Sequence, residues 1–209
     1  NKFCYRSSTN INSDTWVLCT DEHLPLLNMV TTHAKPLAEI VGDDYIFNGI
    51  QTSANKVYVF VPKSETRTTY TFKAFDGNDY EVEKAVTKPY YKTIQGEDAM
   101  SSYRTFKPNA RVFFPYKKNQ NGRLQLIPLT MIQRRYPLFY AFLMAAKPEL
   151  SKESRDIQPK PATAEEWYRY GRHQSLEACE IKEKMIVGVL AQSNKYSIDN
   201  NGTLVSSGG

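Results

Sequence analysis

Three times along this chain a run of β-branched and aromatic residues stops at a cluster of Asn, Asp and Gly. Residues 69–75 and 80–86 flank Asp76-Gly77-Asn78, residues 112–116 and 124–127 flank Asn119-Gln120-Asn121-Gly122, and residues 196–199 and 203–205 flank Asn200-Asn201-Gly202. Asn and Gly tolerate the left-handed backbone of a tight hairpin turn, so the pattern predicts strands paired antiparallel across each cluster.

Helical signals lie outside these runs. Residues 13–42 read as helical, with Ser13 or Asp14 as cap and Leu24, Leu27 and Val30 on one face before Pro36 and the 37–40 segment. Residues 45–47 read as a strand entering a polar loop at 48–56, followed by a strand over 57–61 that ends at Pro62. Pro137 suits the first turn of a helix holding Phe139, Tyr140, Phe142 and Leu143. Residues 148–163 are rich in Pro, Lys and Ser and read as a connector, because Pro159-Lys160-Pro161 cannot continue a helix. Thr163-Ala164-Glu165-Glu166 has capping-box spacing, which predicts a short helix carrying Trp167, Tyr168 and Tyr170 and ending at Gly171. Residues 185–190 form an apolar strand. The fold class is α+β, antiparallel β-hairpins with segregated helices. The organisation expected is a helical lead-in over 1–36, a β-rich part over 37–147, the connector over 148–163, and a helix plus C-terminal β part over 164–209.

The charge is unevenly spread. From residue 99 to residue 148 the chain has no Asp or Glu but nine Lys or Arg and nine Phe or Tyr, so this block is +9 in a protein of net charge +5. The other 159 residues sum to −4, an ordinary mildly acidic balance. Cations interleaved with flat rings suit a nucleic acid, whose phosphates release counterions on contact and whose bases stack. A solvated basic face over an aromatic core gives the same composition. No apolar run approaches the length that spans a bilayer, and the polar start lacks the apolar stretch of a signal peptide. With Cys4, Cys19 and Cys179 odd in number and far apart, the expectation is free thiols in the cytoplasm. The start without Met and the close on Ser206-Ser207-Gly208-Gly209, just after a strand-like segment, read as a piece excised from a longer polypeptide.

Few catalytic patterns are present. His23, His33 and His173 lack zinc-ligand spacing, and there is no nucleophile elbow or phosphate-binding loop. Glu180-Ile181-Lys182 has the E-x-K shape of a nuclease metal site, but the site also needs an Asp, and the nearest one upstream, Asp156, lies in the Pro-rich connector. Phe113-Phe114-Pro115-Tyr116 invites comparison with the Asn-Pro-Pro-Tyr loop of amino-methyltransferases. Phenylalanine cannot accept an amine proton, so a strand entering a Pro-Tyr turn is the better reading.

The segment from Leu37-Ala38-Glu39-Ile40 to Phe47-Asn48-Gly49-Ile50-Gln51-Thr52-Ser53-Ala54-Asn55-Lys56-Val57-Tyr58-Val59-Phe60 resembles the signature of the TaqI-like C-terminal specificity domain of bacterial N6-adenine DNA methyltransferases and fused restriction-modification enzymes. Phe113-Phe114-Pro115-Tyr116 with Leu126-Ile127-Pro128, Tyr136-Pro137 with Tyr140 and Leu143, and the block from Trp167 to Leu176 followed by Lys184-Met185-Ile186-Val187 resemble later segments of that domain in the same order. The resemblance implies a methylase specificity-domain fold that grips duplex DNA, reads its bases and presents the target adenine for flipping. It also implies a catalytic methyltransferase domain elsewhere in the same polypeptide, which would bind S-adenosylmethionine. This stretch itself would hold no cofactor, catalytic residue or metal and would have no membrane partner.

Gln51, Thr52, Ser53 and Asn55 carry amide and hydroxyl groups suited to base edges, or they shape a turn. Lys56, Arg104, Lys107, Arg111, Lys117, Lys118 and Arg123 are the phosphate candidates, and Arg172 could join them. Trp167 and Tyr170 read as core. Two other functions remain open: an RNA or single-strand binder that stacks bases on aromatics, and a protein-interaction scaffold in a restriction-modification complex.

Overall fold

The computed structural model describes residues 22–42, 45–92, 107–161, 163–173, 176–187 and 196–206. The chain divides into two compact units, Asn1–Ile46 and Phe47–Gly209. In the first, helices α1 (Leu24–His33) and α2 (Leu37–Val41) are separated at residues 34–36, where Pro36 disfavours helix in the residue before it. The predicted single helical stretch is therefore two helices, and its proposed caps Ser13 and Asp14 lie outside the described residues.

The second unit begins with α3 (Asn55–Tyr58), β1 (Val59–Phe60), β2 (Pro62–Glu65), β3 (Thr69–Lys73), β4 (Asp79–Glu83) and β5 (Thr87–Tyr91). It continues through β6 (Ala110–Phe113), β7 (Tyr116–Lys118), β8 (Leu124–Leu126), α4 (Leu129–Arg135) and α5 (Pro137–Leu150) to α6 (Leu176–Cys179), β9 (Lys184–Val187), β10 (Tyr196–Asp199) and β11 (Leu204–Val205). Four strands form a sheet in the order β1-β6-β5-β11, and β2-β3-β4 form a meander. β7 with β8 and β9 with β10 make two-stranded ribbons. The mixture of helices with mainly antiparallel sheets is the α+β class expected.

Two of the three predicted turns join the strands beside them. Asp76 accepts the Asn78 N–H at 3.0 Å and Gly77 takes φ 82° between β3 and β4. Asn119 Oδ1 accepts the N–H groups of Asn121 and Arg123 at 2.9 and 3.0 Å, with Gly122 at φ 77°, between β7 and β8. These side chains replace ladder bonds that a turn cannot make. The predicted 112–116 strand divides at Phe114 and Pro115, where Pro115 has no N–H to give, so only Tyr116 of it enters a strand of the second hairpin. β6 instead pairs with β1 and β5.

The third turn has the other outcome. Asp199 is fully buried, its carboxylate taking the Lys184 ammonium at 2.8 Å and the N–H groups of Asn201 and Thr203 at 3.0 and 2.6 Å. The turn is held, but β10 pairs with β9 and β11 leaves to run parallel to β5. Among the other expectations, residues 45–47 form no strand and 57–58 belong to α3. Pro62 opens the edge strand β2, where a missing N–H is tolerated. Thr163 makes no side-chain cap, so only a 3-10 turn forms at Ala164–Glu166, and Trp167 and Tyr170 lie beyond it. Of the predicted 185–190 strand, residues 188–190 lie outside the described residues.

The core is aromatic. Phe113 stacks on Phe60 and Phe139 at 4.7 and 4.9 Å and meets Phe72 and Phe142 edge-on or tilted. α5, the helix predicted to hold Phe139, Tyr140, Phe142 and Leu143, delivers Phe139, Phe142, Leu143, Ala146 and Leu150 to this core. Glu83 fixes its N-terminus, accepting the Leu138 and Phe139 N–H groups at 3.0 and 2.9 Å where Tyr136 provides no side-chain cap. α5 runs through Pro148 to Leu150, so the helix enters the Pro-rich stretch.

Candidate nucleic-acid interface

The polar loop at residues 48–56 is held by its own side chains. The Thr52 hydroxyl accepts the Ala54 N–H at 3.1 Å and donates to Asn55 Oδ1 at 2.6 Å, which starts α3. Ser53 sits at φ 55°, and its hydroxyl donates to the Asp156 carbonyl at 2.6 Å. Thr52 is 1% exposed, whereas Gln51 is half-buried and Ser53, Asn55 and Lys56 are exposed. Of the predicted base readers, Thr52 and Ser53 thus have their hydroxyls engaged, by Asn55 and by the Asp156 carbonyl, and Asn55 has its Oδ1 engaged by Thr52.

Behind the loop lies Arg155, from the Pro-rich stretch. Its guanidinium is buried among main-chain oxygens, donating to Leu150 at 3.1 Å, Trp167 at 2.7 Å, Thr52 at 3.0 Å and also Arg169. It lies 5.7 Å from the centroid of the Tyr58 ring. One cation thereby ties the loop to the end of α5 and to the tryptophan block. The tyrosines around it are cross-linked too: Tyr58 donates to the Tyr168 carbonyl at 2.5 Å and Tyr168 to the Ile127 carbonyl at 2.6 Å. Burial holds the Tyr58 phenol far above its usual range, an effect Arg155 partly offsets. Trp167, Tyr168 and Tyr170 are buried, the core placement expected of Trp167 and Tyr170.

Gly171 allows the closest approach. A Cβ there would lie 1.7 Å from Ser53 Oγ and 2.3 Å from the Asp156 oxygen, so only glycine fits. Beyond it, Arg172 donates two hydrogen bonds to the Asp156 carboxylate at 3.0 and 2.6 Å.

The acid-free block supplies the exposed cations. Lys117 and Lys118 lie on β7 and Arg123 at the start of β8, all exposed, and Arg134 and Arg135 are exposed at the end of α4. Lys117 reaches Met131 Sδ at 3.3 Å, and Lys118 approaches Glu180 at 3.8 Å. Lys107 is exposed before β6, while Arg111 is half-buried with its guanidinium 5.2 Å from the Tyr70 ring centroid. Lys56 pairs with Glu149, which also holds Lys152. Arg104 lies outside the described residues. The E-x-K acid Glu180 is engaged by Lys88 at 2.8 Å.

Sequence reasoning missed Arg155, Asp156 as partner of Arg172, and the surface pair Arg134 and Arg135. The last two were visible in the acid-free count. Arg155 was hidden because a connector is expected to be solvated, and nothing in its spacing signals four carbonyls converging on it.

No family model matches the chain. Its sequence is nevertheless similar to part of a restriction-modification enzyme. That protein is the Escherichia coli type II restriction enzyme and methyltransferase RM.Eco57I, 40% identical over 203 residues. The match takes in 97% of this chain and 20% of that protein, so the chain spans about a fifth of the relative's length.

Proposed function

We propose that this chain is the DNA target-recognition part of a type II restriction-modification enzyme, binding duplex DNA sequence-specifically and presenting an adenine to a methyltransferase domain of the same polypeptide. The single observation that carries the reading is the exposed cation set of the β7–β8 ribbon and α4, in fifty residues without an acid, on a chain similar throughout to a restriction enzyme and methyltransferase. The order of motifs resembling the TaqI-like specificity domain supports it. In this reading Lys107, Lys117, Lys118, Arg123, Arg134 and Arg135 contact phosphates, and the 51–56 loop lies toward the bases. S-adenosylmethionine belongs to the methyltransferase domain, and the work is cytoplasmic. Among the described residues no helix is long and apolar enough to cross a membrane.

The burial of four of the block's nine rings favours a duplex over a single strand. Phe113, Phe114, Phe139 and Phe142 are all buried, which leaves them unavailable as stacking platforms. The test is competition: unlabelled duplex should displace a labelled duplex from the chain at least tenfold better than either of its separated strands. Preference for the single strand would sink the reading.

A further inference from the structure

Arg172 lies between two glutamines. Its main chain bridges Gln51 antiparallel on one side and Gln158 parallel on the other. The Arg172 N–H donates to the Gln51 carbonyl at 3.1 Å, and the Gln158 N–H donates to the Gly171 carbonyl at 2.7 Å. Paired residues across such bridges send their side chains to the same face. Gln51, Arg172 and Gln158 therefore form a row across three segments that are far apart in sequence. Neighbouring strands are about 4.8 Å apart, so the main chain of the row spans about 10 Å, against about 7 Å for the two steps of about 3.4 Å across three successive base pairs, a difference that long Gln and Arg side chains take up.

The row is rigidly backed. Gly171 admits no side chain, Ser53 is tied to Asp156, and Arg155 grips the carbonyl of Thr52, next to Gln51, and that of Arg169, three residues before Arg172. The charge of Arg172 is balanced by Asp156, which takes two of its five N–H donors and leaves three. A neutralised pair gains little from a phosphate, whose contact depends on net charge. An oriented guanidinium suits the O6 and N7 acceptors of guanine, and a glutamine amide suits N6 and N7 of adenine.

We propose that Gln51, Arg172 and Gln158 are one base-reading row, with Arg172 on a guanine, the glutamines on flanking adenines, and Asp156 as a positioning residue for Arg172. This rests on the duplex-binding reading above. The test selects duplexes from a randomised library with the 209-residue chain and its Q51A, Q158A, R172K and D156N variants, each checked for folding by its melting temperature.

The chain should select a guanine with adenine neighbours. Q158A and Q51A should each lose about tenfold discrimination at one base pair, at different positions, through weaker binding of the selected duplex and with the salt dependence kept. R172K and D156N should relax the same guanine position. Unchanged preference in both glutamine variants, or a parent chain that binds duplexes without selecting any sequence, overturns the row while leaving duplex binding intact. A parent chain that binds no duplex overturns both. Exposed Gln158 keeps the proposal testable if R172K or D156N fails to fold.

Discussion

Gly171 has no room for even a methyl group, so G171A must push Ser53 and Asp156 apart. The expected cost is about 2–3 kcal/mol, read as a lower urea midpoint with unchanged slope. Arg155 makes the opposite kind of contribution. R155M strands buried carbonyls of Thr52, Leu150, Trp167 and Arg169 and should cost about 3–4 kcal/mol. R155K keeps the charge but not the planar fork, and should recover less than half of that loss. Cys179 is buried with its thiol donating to the Asn48 carbonyl at 3.4 Å, and burial raises its pKa to about 11 from 9.0. A raised thiol pKa means the fold favours the neutral form, so this contribution is complete below pH 9 and is lost as pH rises through 11. Peptide mapping after iodoacetamide treatment at pH 8 should find Cys179 unmodified in the folded chain and labelled in urea.

Under the proposed function the β7–β8 ribbon supplies affinity and not specificity. Replacing Lys117 and Lys118 with Gln should weaken binding to all duplexes alike and make the salt slope shallower by about 2, as two phosphate contacts are lost. Titrating selected and unselected duplexes in parallel checks this, and a loss confined to one sequence would count against it. This ribbon and the β3–β4 hairpin were legible in the sequence because Asp76, Gly77, Asn119 and Gly122 carry the turn chemistry themselves. The failures share another cause. β6 and β11 pair with strands distant in sequence, and the 163–171 segment is set by Arg155 and by Tyr168 bonding to Ile127, so local spacing held no record of them. The loop at 51–56 was recognised as polar, but its division into groups engaged in the turn and groups facing outward needed Asp156 and Gly171 beside it.

The second unit is organised as an aromatic core with charge sorted onto its surface. Phe60, Phe72, Phe113, Phe139 and Phe142 form the centre, while the block that supplies three of these rings also exposes Lys117, Lys118, Arg123, Arg134 and Arg135. One stretch of sequence thus supplies both packing and positive potential, which is why its composition alone admitted two readings. The core reading and the nucleic-acid reading are compatible, since buried rings and exposed cations use different side chains. The central claim is that the exposed cations neutralise duplex phosphates. It is tested most directly by fluorescence-anisotropy titration of the 209-residue chain with a labelled duplex between about 50 and 200 mM salt. Six phosphate contacts predict a slope of log K against log salt of about −5; binding that is absent, or that stays flat across this range, would contradict the account.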